Sequence, residues 1–181
     1  TWDSNIPEAH KGNPEVVARQ PLLDGQSAEL NARPVNTDQF DYDILDFQLA
    51  RKANYYTFDL DLVIEDMRDG NRLIIQVSDN DSSNQCSLVL NDFGSVYITQ
   101  ILTTYSTYTR YHVNIIATPN NDNTGRLHLT FSSGESVLYQ VHFILSMTGS
   151  QDFGWLRFQQ QDSNDPDTNY AQVDNISVKA G

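Results

Sequence analysis

Residues 111–118 (YHVNIIAT), 126–132 (RLHLTFS) and 137–145 (VLYQVHFIL) alternate apolar and polar side chains with a period of two. That period fits a strand with one face in a core and the other in water. Pro119-Asn120-Asn121-Asp122-Asn123-Thr124-Gly125 and Ser133-Gly134-Glu135-Ser136, both rich in turn formers, separate the three stretches. The middle of the chain therefore reads as a β-meander, and its register follows from the pattern. A hairpin centred on Glu135 sets Phe131 against Tyr139, Leu129 against Val141 and Leu127 against Phe143, all apolar and all inward. The same register sets His128 opposite His142 and Thr130 opposite Gln140 on the other face. Pairing Ile115 with Leu129 adds Asn114 beside Thr130 and Ile116 beside His128. A slip of one residue would turn the whole apolar set to water, which constrains the register.

The flanking sequence has the same character. Residues 55–65 (YYTFDLDLVIE) carry Tyr56, Phe58, Leu60, Leu62 and Ile64 on one face and Thr57, Asp59 and Asp61 on the other. Residues 27–33, 44–50, 73–78, 86–90, 95–101, 153–160 and 170–179 also read as strands, with 105–110 leading into the meander, and Arg68-Asp69-Gly70-Asn71 reads as a hairpin turn. No segment shows a helical period. About ten to twelve strands, with turn signals roughly every ten residues, predict an all-β fold. The expected architecture is an antiparallel β-sandwich of jelly-roll type, with a closed up-and-down barrel as the alternative. A chain of 181 residues fits one domain. Residues 1–20, with Pro7, Gly12, Pro14 and no period, are expected to form an irregular N-terminal arm, and residues 21–181 the sandwich.

The formal charge of −13 argues against nucleic acid and anionic membrane surfaces, since both would repel the protein. It suits bound cations, neutral glycans or simple solubility. The single cysteine, Cys86, permits no internal disulfide, and its apolar run makes it a small core residue. No stretch of 18 apolar residues predicts a membrane span, and no signal peptide is visible.

Several groups of residues can carry function. Asn114, Thr130, Gln140, His128 and His142 share the outer face of the meander, where amide and imidazole groups can hydrogen-bond sugar hydroxyls; an ordinary hydrated sheet face is the plain alternative. In residues 153–160, Leu156 and Phe158 face inward, which leaves Trp155 facing outward with Arg157 and Gln159. An exposed Trp155 is a platform for the apolar face of a pyranose, and Arg157 can add hydrogen bonds or bind an acidic sugar; packing of Trp155 under a loop is the alternative. Asp79-Asn80-Asp81 and Asp174-Asn175 supply hard oxygen ligands for calcium, although no run has the twelve-residue spacing of an EF-hand. No nucleophile elbow, phosphate loop or cysteine–histidine pairing points to acyl or phosphoryl transfer.

The runs Tyr111-His112-Val113-Asn114-Ile115, Arg126-Leu127-His128-Leu129, Gly154-Trp155-Leu156-Arg157-Phe158 and Val173-Asp174-Asn175-Ile176-Ser177-Val178 resemble concanavalin A-like and laminin-G-like jelly rolls of the carbohydrate-binding-module type. The likeness spans roughly residues 40–181 and speaks to fold more than to ligand. It implies a secreted or cell-surface module that binds a polysaccharide through a sheet face, as part of a larger polysaccharide-degrading protein. It also implies that Asp174 helps to hold a structural Ca2+. The runner-up is enzymatic. Gln140-Val141-His142 is similar to the Q-(I/V)-H strand of jelly-roll alginate lyases, in which such a Gln and His would neutralise a uronate and take its C5 proton. The arginine strand of those lyases is matched poorly by residues 27–33, and their tyrosine strand is missing. A protein-binding adhesion module is the third class.

Overall fold

The computed structural model describes residues 11–12, 15–17, 27–30, 42–49, 53–67, 70–79, 84–147, 152–161 and 170–181. They form fourteen strands: β1 (Lys11–Gly12), β2 (Glu15–Val17), β3 (Ser27–Leu30), β4 (Tyr42–Gln48), β5 (Tyr56–Asp66), β6 (Arg72–Asp79), β7 (Gln85–Asn91), β8 (Ser95–Tyr97), β9 (Ile101–Thr104), β10 (Arg110–Pro119), β11 (Thr124–Ser133), β12 (Ser136–Ser146), β13 (Phe153–Gln161) and β14 (Tyr170–Ala180). Two seven-stranded sheets result. Sheet I runs β1-β4-β13-β6-β7-β8-β9 and sheet II runs β12-β11-β10-β5-β14-β3-β2. All pairs are antiparallel except the two-residue contact of β1 with β4. The all-β sandwich expected from the alternation is thus the observed architecture. Among the described residues no helix is long and apolar enough to cross a membrane.

The core lies between the sheets. Sheet II contributes Tyr56, Phe58, Leu60, Leu62 and Ile64 from β5, Val113 and Ile115 from β10, and Leu127, Leu129 and Phe131 from β11. Leu73, Ile75, Leu88, Leu90, Leu156 and Phe158 meet them from sheet I. Each fully buried Leu, Ile or Phe contributes about 1.5–3 kcal/mol relative to exposure, so this layer dominates folding. Gly125, at the start of β11, admits the Phe153 ring and the Met147 sulfur into that layer; a Cβ there would lie 2.4 Å from Phe153.

The meander register is observed pair for pair: Ile115 with Leu129, Leu129 with Val141, His128 with His142, and Thr130 with Gln140. The hairpin closes more tightly than a centre at Glu135 implies. Ser133 pairs with Ser136 across Gly134-Glu135, and a bulge leaves Leu138 unpaired before Tyr139 regains its place opposite Phe131. Gly134 has φ 56°, which this turn requires.

Other stretches differ from expectation. Residues 95–101 are two strands, not one, because the chain bends between Tyr97 and Ile101 to pair β8 with β9. Residues 105–109 form a turn held by two phenols, and Arg110 already begins β10. The Tyr105 hydroxyl donates to the Asn91 carbonyl at 2.6 Å, and the Tyr111 oxygen accepts from the Ser106 N–H at 2.7 Å. Within the stretch expected to be an irregular arm, Lys11–Gly12 pairs with β4 and Glu15–Val17 with β3. Such short strands are held by main-chain bonds at a sheet edge and leave no side-chain period to read. The rest of residues 1–20 lies outside the described residues.

Candidate functional site

The outer face of sheet II is built from cross-strand rows. One row runs Ser177–Asp59–Asn114–Thr130–Gln140 across five strands. On one side of it runs Asp174–Asp61–His112–Ser132, and on the other Lys179–Thr57–Ile116–His128–His142. Neighbouring members of a row stand one strand spacing apart, about 4.8 Å.

Two clusters occupy this face. The first centres on Asp61, whose side chain is 12% exposed. Its Oδ2 accepts from Arg110 Nη2 at 2.7 Å and from Asn175 Nδ2 at 2.8 Å, while Oδ1 lies 3.0 Å from His112 Nδ1. Asp59 accepts from Asn114 Nδ2 at 2.7 Å and lies 3.6 Å from His112 Nε2. His112 is thus clamped between two carboxylates. Burial pushes the Asp61 carboxyl up, but hydrogen bonds from Arg110, Asn175 and His112 outweigh it and hold it below the usual carboxylate value. Gln172 donates to Glu65 farther along the same face.

Asn175 reaches Asp61 because β14 bulges between Asp174 and Ser177. Asn175 takes φ 51°, a left-handed conformation that asparagine tolerates better than most residues. The bulge turns Asn175 outward while Ile176 packs on the core. Asp174 sits directly opposite Asp61, and its Oδ2 is buried without a hydrogen-bond partner.

The second cluster is at the open edge of the meander. Gln140 Nε2 lies 2.7 Å from His128 Nε2 and 3.5 Å from Thr130 Oγ1. The His128 and His142 rings stack with centroids 4.0 Å apart. Burial, and then the neighbouring His142 charge, hold the His128 imidazole below its ordinary value.

Of the residues singled out in the sequence, Asn114, His128, Gln140 and His142 come together here. Trp155, Arg157 and Gln159 do not join them. They alternate with Leu156 and Phe158 on β13 and face outward from sheet I, on the opposite side of the sandwich. Asp79 is buried in sheet I and accepts from the Asn84 backbone and side chain, whereas Asp174 belongs to sheet II. Asp79 and Asp174, alternative calcium ligands in the sequence, thus lie in different sheets, Asp81 lies outside the described residues, and no group of three His, Cys, Asp or Glu that could hold a metal occurs among the described residues. The sequence reading passed over His112, Arg110 and the joining of Asp59 and Asp61 to Asn114. Their common parity was visible in the alternation; the pairing of β5 with β10, strands far apart in the chain, was not.

No protein-family model matches the chain, and no curated protein matches it in sequence. Solved structures do match. An endo-β-1,4-glucuronan lyase from the fungus Trichoderma reesei aligns with TM-score 0.57 at 11% identity, over 93% of this chain and 87% of that one. A marine alginate lyase from Aplysia kurodai aligns with TM-score 0.55 at 9% identity, over 87% and 84%. A legume lectin-like domain from Entamoeba histolytica aligns with TM-score 0.51 at 7% identity, over 93% and 88%. The fold is the concanavalin A-like jelly-roll sandwich. At these identities the likeness extends to fold and no further.

Proposed function

We propose that the outer face of sheet II binds a neutral polysaccharide, without cleaving it, as a module of a secreted or surface-held protein. The observation that carries this reading is the five-strand polar row Ser177–Asp59–Asn114–Thr130–Gln140 with its two flanking rows. Carboxylate, amide and imidazole groups held by one another are preorganised acceptors and donors for hydroxyls, so little side-chain entropy is lost on binding. Structural neighbours named as a glucuronan lyase, an alginate lyase and a legume lectin-like domain support a sugar-directed face in general; the preference for a neutral glycan rests on charge alone.

Charge selects neutral glycan over uronate. Asp59, Asp61 and Asp174 lie at the centre of the face in a chain of net charge −13. A polyanion would meet repulsion here, whereas a neutral chain would not. One observation favours the lyase as second reading: Gln140 and His142 do project from the same face, beside His128. Against it, Tyr111 and Tyr139, the tyrosines on β10 and β12, lie on the core side of their strands, and Arg110 is engaged by Asp61.

A panel of neutral and uronate polymers tests the reading, with ultraviolet absorbance followed for unsaturated product. Retention on a neutral polymer, weakened in Asn114→Ala and without absorbance change, is expected. Growing absorbance that His142→Ala abolishes would replace this reading with the lyase. No calcium is assigned to the face, and a chelator is expected to leave binding unchanged.

A further inference from the structure

Strand β12 ends sheet II, and among the described residues β11 is its one partner strand. It is an open edge of eleven residues, SVLYQVHFILS, with no charge and no proline. Edges of that length are ordinarily blunted by lysine, proline or brevity, because unpaired N–H and C=O groups recruit another strand. The opposite sheet ends on β9, which has four residues. The core is also unfinished at β12. Inward residues of β5, β10 and β11 are buried, whereas Tyr139, Val141, Phe143 and Leu145 are only partly so. Outward, Ile144 is 68% and Val137 60% exposed.

We propose that β12 pairs antiparallel with β12 of a second copy of this chain, on a two-fold axis through Val141. The strand is chemically self-complementary about that residue. Gln140 would face His142 of the second copy on the outer face, and Tyr139 would face Phe143 on the core side. An isologous contact needs this reciprocity, and an unrelated partner strand does not supply it. Charge agrees. From Thr124 to Ser146 the hairpin carries two formal charges, Arg126 beside Ile144 and Glu135 in the turn, which are opposite in sign. The axis lays the Glu135 end of each copy toward the Arg126 half of the other. Two copies of a chain of charge −13 thus meet along an edge that does not repel. The bulge at Leu138 confines regular pairing to the centre of the strand. The two polar outer faces would then join through Gln140 and His142, although the pairing does not depend on glycan binding.

Sedimentation equilibrium of the whole chain in reductant, from low to high micromolar, tests the pairing; the reductant removes any Cys86 cross-link. Twice the chain mass of 20.5 kDa is expected at the upper end. The double variant Gln140→Lys/His142→Lys should restore the single-chain mass, since each lysine would then stand directly opposite a lysine of the second copy at the centre of the seam. The fold should tolerate these two exposed substitutions, which a circular dichroism melt checks. Hydrogen exchange supplies a second readout: β12 amides that point away from β11 should exchange slowly when concentrated and rapidly on dilution. A single-chain mass throughout overturns the proposal. So does a dimer that Gln140→Lys/His142→Lys leaves intact, or one whose β12 edge amides exchange rapidly at every concentration.

Discussion

The two clusters on the outer face of sheet II use similar residue types to different ends. Around Asp61, one largely buried carboxylate is held by three donors from β10 and β14, and Asp59 is held by Asn114. At the meander edge, His128, His142 and Gln140 touch each other but stand largely in water. The first is rigid because burial makes every unmade bond costly. The second is adaptable because water replaces any bond it loses. A sheet face can therefore carry a rigid cluster and an adaptable one side by side, with stability concentrated in the first.

The largest effect is expected from breaking the rigid cluster. Asp61→Ala removes the acceptor that Arg110, His112 and Asn175 share and should cost about 1–3 kcal/mol, discounted for the exposure of Arg110. Chemical denaturation measures it, and a midpoint equal to wild type would mean that the cluster holds nothing. Asn114→Ala removes one bond to Asp59 and should cost about 1 kcal/mol in stability, while weakening polysaccharide binding about tenfold. Gln140→Ala should change stability by under about 0.5 kcal/mol and still weaken binding, which affinity electrophoresis reads. A large loss of stability in Gln140→Ala would erase the distinction between the clusters.

The clusters also separate by pH. Asp61 has a depressed pKa in the folded chain, so its contribution is present above the unfolded value near 3.8 and disappears as pH falls through the folded value. His128 is depressed too, but it is a base. Its proton is held more tightly in the unfolded chain, so stability starts to fall as pH drops through the unfolded value near 6.5 and stops falling below the folded value. A melt series should show a mild loss in weak acid, absent in His128→Gln, and a second loss in strong acid, reduced in Asp61→Asn. A single acid transition untouched by His128→Gln would contradict this separation.

The difference between the clusters is also the difference in what the sequence reveals. The edge cluster lies on one hairpin and its neighbouring strand, where alternation and turn length determine which residues face each other. His128 opposite His142 and Thr130 opposite Gln140 were legible for that reason. The Asp61 cluster needs β5, β10 and β14, which meet only in the folded sheet, and a bulge that brings Asn175 outward. Alternation gives the face of each strand but not its neighbour. Trp155 shows the same limit. Its outward parity is readable, but which sheet bears it is a matter of strand order.

The most direct test of the binding face compares Asn114→Ala with Trp155→Ala on one neutral polysaccharide by titration calorimetry. The two residues lie on opposite sides of the sandwich. Binding weakened about tenfold in Asn114→Ala and unchanged in Trp155→Ala is the predicted result. Binding lost in Trp155→Ala and intact in Asn114→Ala would move the site to sheet I and contradict the assignment made here.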